Sequence, residues 1–121
     1  MRLPLIDSDA ALRSALAALP AGEPLAVDTE FMRRDSYFPR VALLQLSAGG
    51  EPLLIDPLPL ADLDPLRALF ADRSREKVLH ACSEDLEVFD CWLGVQPQPL
   101  VDTQRAAALL GEDFGLGYRA L

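Results

Sequence analysis

Residues 25–34 read LAVDTEFMRR and place two carboxylates, Asp28 and Glu30, inside an otherwise apolar strand. Because successive side chains of a β-strand point to opposite faces of the sheet, both carboxylates lie on one face, with Cα atoms about 7 Å apart. Thr29 and Phe31 face the other way. Two anions this close in a half-buried place repel each other, and a divalent cation would remove that cost. Carboxylate oxygens suit Mg²⁺ or Mn²⁺, so the stretch predicts a metal site on a strand.

The segments around this stretch predict a mixed α/β sheet flanked by helices. The first three predicted strands form an antiparallel meander with a hairpin at Gly49–Gly50. Each of the last two strands is reached through a helix, which implies parallel pairing. The five predicted strands cover residues 25–31, 40–48, 52–56, 77–81 and 99–102. The predicted helices cover residues 10–19, 63–72, 83–93 and 102–111.

The composition describes one acidic domain without a membrane helix. The chain has 121 residues, enough for a single domain with a core. No apolar run reaches the roughly 18 residues of a membrane-spanning helix. The net charge of −8 argues against a generic nucleic-acid binder and predicts weak non-specific binding to nucleic acid. The two cysteines form no CxxC pair, so we expect reduced thiols and a cytoplasmic protein.

A third carboxylate, Asp85, falls in the first turn of the helix that follows the fourth predicted strand. If that strand runs parallel to the first, Asp85 lies near its carboxyl end, where α/β sheets bind ligands. Each acid also has a plainer explanation. A D-x-E pair can lie on the solvated face of an edge strand, and Asp85 can simply complement the positive end of a helix dipole.

Five segments together resemble ribonuclease D and its relatives, the DEDD superfamily of 3′-5′ exonucleases. These segments are VDTEF, PRVALLQLS, LIDPL, HACSEDLEVF and PQPLVDTQRAAALLG, at residues 27–31, 39–47, 54–58, 80–89 and 97–111. The resemblance implies a ribonuclease-H-like fold and a metal-dependent exoribonuclease that releases nucleoside 5′-monophosphates from RNA 3′ ends, such as those of tRNA precursors.

The resemblance also implies roles for individual residues. Asp28, Glu30 and Asp85 would be the catalytic residues and would ligate two divalent cations, Mg²⁺ or Mn²⁺. Thr29 and Phe31 match positions that lie against the terminal nucleotide in relatives.

The sequence departs from the family pattern in one respect. The family completes its site with a C-terminal Tyr-x-x-x-Asp motif, which supplies the fourth metal ligand and positions the attacking water. Residues 1–121 contain no such motif. We therefore interpret 1–121 as a 3′-5′ exonuclease domain that is truncated before its last helices and inactive by itself.

Two alternative functions remain open at the level of sequence. The first is a non-catalytic module that binds nucleic acid or protein on the same fold. The second is a phosphatase of the haloacid dehalogenase kind, whose D-x-D motif carries a nucleophilic aspartate. Against the second, Glu30 takes the place of the second aspartate, and no later lysine with an acidic pair is visible.

Overall fold

The computed structural model describes residues 4–32 and 40–110, which form a six-stranded sheet and four helices. The strands are β1 (Leu5–Ile6), β2 (Leu25–Met32), β3 (Arg40–Ser47), β4 (Leu53–Ile55), β5 (Lys77–Leu79) and β6 (Leu100–Asp102). The helices are α1 (Asp9–Ala17), α2 (Asp64–Ala71), α3 (Ser83–Leu93) and α4 (Thr103–Leu109).

The strand order across the sheet is β1-β4-β3-β2-β5-β6. Strands β2, β3 and β4 pair antiparallel, whereas β5 pairs parallel with both β2 and β6. These pairings confirm the predicted meander and the two parallel strands. The prediction of five strands was one short, because β1 pairs parallel with β4 at the edge of the sheet. A two-residue strand shows no periodicity, so nothing in the sequence marked it.

The hydrophobic core lies on one face of the sheet. Val27 pairs with Leu46 and Thr29 pairs with Leu44 across β2 and β3, and all four side chains are buried. We call the face of β2 that bears Val27 and Thr29 the core face. Helices α1, α2 and α3 cover it, and they contribute the buried residues Leu12, Leu66, Phe70, Phe89 and Leu93.

A contact between two aromatic rings packs α3 against α2. The rings of Phe70 on α2 and Phe89 on α3 lie with centroids 4.6 Å apart and planes tilted by 55°. Both side chains are fully buried in the core. Tilted aromatic pairs of this kind add to the burial of apolar area, so they fix the position of α3 relative to α2.

The opposite side of the sheet, which we call the carboxylate face, bears Ala26, Asp28 and Glu30 of β2. Gln45 and Ser47 of β3 pair with Asp28 and Ala26 and therefore lie on the same side. A cavity of about 350 Å³ runs along this face. Its lining includes Ala26, Asp28, Gln45, Ser47, Val78 and Thr103.

The helix ends follow local chemistry. Ser8 caps α1 by accepting a hydrogen bond from the Ala11 N–H at 3.2 Å. Asp102 caps α4 by accepting from the Gln104 N–H at 2.9 Å. Helix α3 ends at Gly94, whose φ of 67° is in the left-handed region that glycine adopts readily. Among the described residues, no helix is both long enough and apolar enough to cross a membrane.

Candidate active site

Strand β2 carries Asp28 and Glu30 beyond the end of its parallel neighbour. Strand β5 pairs with Leu25 and Ala26 only and ends at Leu79, so Asp28 lies just past the carboxyl end of β5. Asp28 is half-buried and Glu30 is exposed. The carboxyl ends of adjacent parallel strands are the usual place for ligands in an α/β sheet.

Asp85 reaches this place from the other side of the sheet. It lies in the first turn of α3, is 8% exposed, and accepts a 2.5 Å hydrogen bond from the Thr29 hydroxyl at Oδ1. Because Thr29 belongs to the core face, Asp85 approaches β2 from the side opposite to Asp28.

The pKa of Asp85 is raised above its ordinary value, chiefly because burial opposes ionisation. The Thr29 hydroxyl acts in the other direction, since its hydrogen bond stabilises the carboxylate, and the negative charge of Asp28 raises the pKa further. The negative charge of Asp28 therefore opposes ionisation of Asp85.

Asp102 at the end of β6 holds the turn that leads from β5 into α3. Its Oδ1 accepts from the Ala81 N–H at 2.9 Å, and its Oδ2 accepts from the Cys82 N–H at 3.0 Å. Ala81 has a φ of 52°, in the left-handed region that is unfavourable for alanine. The carboxylate thus fixes a strained turn, and that turn sets where α3 and Asp85 begin.

From the sequence, Asp102 was expected only at the end of the fifth predicted strand and the start of the last predicted helix. The predicted parallel pairing of the last two strands carried a further signal. It places a carboxylate at the end of β6 beside the turn that follows β5. Burial raises the pKa of Asp102, but the hydrogen bonds from Cys82 and Ala81 outweigh it, and the net pKa is lowered.

The thiol of Cys82 contacts Asp102 at the same turn. Its Sγ lies 3.3 Å from Asp102 Oδ2. Burial, together with the hydrogen bond and charge of Asp102, raises the pKa of Cys82 to about 11. The thiol is therefore protonated at neutral pH, and a nucleophilic thiolate at this position is disfavoured.

The structure brings some of the predicted site residues together and leaves others apart. Asp28, Thr29 and Asp85 adjoin one another, whereas Glu30 points to solvent on the carboxylate face. Across residues 4–32 and 40–110, no three or more His, Cys, Asp or Glu side chains are grouped so that they could hold a metal ion. The roles of Asp28, Glu30 and Asp85 as metal ligands stay predictions.

Thr29 and Phe31 occupy different environments on the core face. Thr29 is 6% exposed and its hydroxyl is engaged with Asp85. Phe31 is half-buried near the end of β2, beyond a register shift at which Ala42 of β3 is the extra residue of a bulge.

The side chains of Asp28 and Asp85 carry the oxygen donors that a hard divalent cation prefers. Asp28 and Asp85 supply carboxylate oxygens, and the ionised form of Asp85 is opposed by burial and by its neighbour. A divalent cation would relieve both costs. Mg²⁺ commonly takes one or two carboxylates and keeps several waters, so two protein carboxylates are a sufficient anchor.

Comparison with known proteins defines the class to which this fold and acidic site correspond. The sequence pattern of the 3′-5′ exonuclease family matches residues 4–121, and the chain belongs to that family. Within it, the chain is similar to ribonuclease D. It is 45% identical to ribonuclease D of Escherichia coli (strain K12) over 121 residues, which is 100% of this chain and 32% of that protein. It is 47% identical to ribonuclease D of Pseudomonas paraeruginosa (strain DSM 24068 / PA7) over 116 residues, 96% of this chain and 31% of that protein.

Solved structures agree with the sequence comparison. The crystal structure of Escherichia coli RNase D, described as an exoribonuclease involved in structured RNA processing, superposes with a TM-score of 0.91 at 46% identity. The match covers 98% of this chain and 32% of that one. Trypanosoma brucei RNase D in complex with RNA U12 has a TM-score of 0.73 at 25% identity, over 84% of this chain and 37% of that one.

The resemblance to ribonuclease D and the mixed α/β fold are therefore confirmed. The chain spans about a third of the length of the ribonucleases D that it matches.

Proposed function

We propose that the full-length protein is a metal-dependent 3′-5′ exoribonuclease that removes nucleoside 5′-monophosphates from RNA 3′ ends. Membership of the 3′-5′ exonuclease family and the similarity to ribonuclease D support this proposal. The observation that carries it is the buried Asp85, whose carboxylate accepts a hydrogen bond from Thr29, the residue next to Asp28 on β2, and is affected by the charge of Asp28. Burying a carboxylate next to another acid is costly for stability, which favours a functional reason for the arrangement.

In this proposal Asp28, Glu30 and Asp85 are the catalytic metal ligands. Two bound divalent cations, Mg²⁺ or Mn²⁺, would activate a water and stabilise the leaving 3′ oxygen. The carboxylates bind and orient, since phosphoryl transfer of this kind relies on positioning and charge more than on a protein nucleophile.

We further propose that Thr29 and Phe31 adjoin the terminal nucleotide. Phe31 is half-buried and keeps an exposed edge on which a base or sugar could pack. The Thr29 side chain is buried and engaged with Asp85, so a contact with the nucleotide would involve its main chain.

The substrate class we propose is structured RNA with a free 3′ end, of which tRNA precursors are the first candidates. Its support is the similarity to ribonuclease D and the RNA-bound Trypanosoma brucei relative. The same similarity favours a cytoplasmic location. Residues 1–121 contain no Tyr-x-x-x-Asp motif, so we expect these residues alone to be inactive.

The test compares the full-length protein with its Asp28→Asn variant on a 5′-labelled single-stranded RNA with Mg²⁺ or Mn²⁺. The wild type should shorten the RNA from its 3′ end and release nucleoside 5′-monophosphates. Asp28→Asn should lower kcat by more than about 100-fold, since even residues that only support metal ligands cost 10–100-fold.

The matched control is Asp90→Asn, which makes the same chemical change at an exposed position of α3. It should cleave at the wild-type rate. Undiminished cleavage by Asp28→Asn would refute the role assigned to Asp28.

One observation favours a second candidate, a non-catalytic nucleic-acid-binding module. The described residues do not gather three potential metal ligands in one group. If that candidate is correct, the full-length protein will bind RNA 3′ ends in EDTA and leave them intact when Mg²⁺ or Mn²⁺ is added.

A further inference from the structure

We propose that Thr29 is a positioning residue that aims the carboxylate of Asp85 at the metal site. This inference rests on the proposed function and assigns a role to the middle residue of the D-T-E triplet. The structure places its hydroxyl on a carboxylate oxygen 56 residues away in sequence, and both side chains are buried.

The hydrogen bond from Thr29 restrains the terminal torsion of Asp85, together with a hydrogen bond from the residue's own main-chain N–H. The terminal torsion of an aspartate is broad, so an unrestrained carboxylate rotates easily about its last bond. A threonine hydroxyl has one hydrogen to donate, and here it goes to Oδ1 of Asp85. The restraint on Oδ1 also restricts the direction of Oδ2, the oxygen that would bind the cation in this proposal.

The geometry of β2 explains why such a restraint is needed. Asp28 lies on the carboxylate face, whereas Asp85 arrives on the core face with α3. The two acids therefore share no strand or helix that would set their relative orientation. Thr29 adjoins Asp28 in sequence and contacts Asp85 in space, so it links the two.

A purely structural role for Thr29 makes a different prediction. In that case the hydroxyl simply satisfies its own need for a partner in the core, and its removal would lower stability alone. The positioning role requires that metal affinity fall while binding of RNA without metal is unchanged.

The experiment uses the full-length protein with two substitutions. Thr29→Val keeps the shape of the side chain and removes the hydroxyl, whereas Thr29→Ser keeps the hydroxyl and removes the methyl group. Mn²⁺ affinity is measured by isothermal titration calorimetry, RNA affinity by anisotropy in EDTA, kcat and KM on a labelled RNA, and folding by circular dichroism.

We expect Thr29→Val to weaken Mn²⁺ binding by about 10–100-fold, the usual effect of losing a residue that orients a metal ligand. Its kcat should fall with little change in KM or in RNA affinity without metal. Thr29→Ser keeps the hydroxyl, so its Mn²⁺ affinity should stay within about threefold of the wild type. This change is clearly smaller than the tenfold loss that is the least expected when an orienting residue is removed.

Three results would overturn the inference. Wild-type Mn²⁺ affinity in Thr29→Val would show that the hydroxyl does not matter, and equal losses in both variants would show that side-chain volume matters instead. If the wild type itself binds no Mn²⁺ and cleaves no RNA, the proposed function fails together with the inference. If Thr29→Val does not fold, Thr29→Ala also removes the hydroxyl and does so without placing a γ-methyl group against the carboxylate of Asp85.

Discussion

Asp85 is buried at the start of α3, where its carboxylate accepts hydrogen bonds from the Thr29 hydroxyl and from its own main-chain N–H and is affected by the charge of Asp28. An ionised carboxylate in this position opposes folding, because burial and the charge of Asp28 both disfavour the anion. Proteins often accept lower stability at sites that perform chemistry. Asp85 is therefore a residue whose removal should strengthen the fold while it abolishes the proposed activity.

The variant Asp85→Asn should stabilise the metal-free protein by about 0.5–2 kcal/mol at pH 7. Its amide oxygen still accepts from Thr29, and the buried charge is gone. The folded pKa of Asp85 is raised, so its cost is present at neutral pH and absent below the unfolded value of 3.8.

Urea denaturation in EDTA at several pH values measures this effect, with the exposed Asp90→Asn on the same helix as the control. The gain should shrink as the pH falls towards 3.8, the ordinary pKa of the side chain. A loss of stability at pH 7 would contradict the idea that the ionised Asp85 opposes folding.

Two strand-to-helix junctions meet at a single side chain on the scale of secondary structure. Asp102 accepts hydrogen bonds from Ala81 and Cys82 at the β5–α3 junction, and from Gln104 at the start of α4. The left-handed conformation of Ala81 is unfavourable by roughly 1–2 kcal/mol and persists because these bonds hold it. One carboxylate therefore aligns two helices that follow neighbouring parallel strands.

The substitution Asp102→Asn should destabilise the protein by about 1–3 kcal/mol at pH 7, because an amide NH₂ group would face backbone donors. The folded pKa of Asp102 is lowered, so its stabilising effect is present above the unfolded value of 3.8 and is lost as the pH falls through the folded pKa.

The difference between wild type and Asp102→Asn should therefore diminish in acid. Urea denaturation at pH 7 and below pH 4 measures it, with the exposed Asp7→Asn as the matched control. A difference that is independent of pH would mean that the charge of Asp102 contributes nothing.

The whole chain is acidic, with a net charge of −8, and its described helices α1, α2 and α3 all pack on the core face. A protein that neutralises many phosphates shows a steep dependence of affinity on salt. This chain lacks the excess of lysine and arginine that such binding requires. In the proposed function, recognition of an RNA end would therefore depend on contacts at the site and not on the overall field of the chain.

The 121-residue chain should bind single-stranded RNA weakly in EDTA. Its affinity should fall by less than about tenfold between 50 and 200 mM salt, compared with 10³–10⁵ for proteins that make 6–10 phosphate contacts. Fluorescence anisotropy with a labelled oligonucleotide measures this, with a basic RNA-binding domain as the reference. A steep salt dependence would reveal a phosphate-binding surface that the net charge conceals.

Local patterns predicted the elements that have a period or a cap. The alternation along residues 25–31 predicted β2 and correctly assigned Thr29 and Asp28 to opposite faces. Either Asp7 or Ser8 was expected to cap the first helix, and the structure has Ser8 in that position.

Partners distant in sequence could not be predicted in this way. No local sequence pattern predicts that Asp85 contacts Thr29 on the core face of β2. The same is true of Lys77, which is fully buried and donates from Nζ to the carbonyl oxygens of Asp72 and Gln98. These contacts depend on how segments distant in sequence pack together in three dimensions. The periodicity of a single segment does not carry that information.

The tilted contact between Phe70 and Phe89 bears on the proposed chemistry because Phe89 lies one helical turn after Asp85 on α3. Asp28 moves with the sheet and Asp85 moves with α3, so the gap between the two acids reports how α3 sits on the layer beneath it. Protein interiors transmit small displacements because they are densely packed. A smaller side chain at either ring should therefore change the distance between Asp85 and Asp28 and lower the proposed activity.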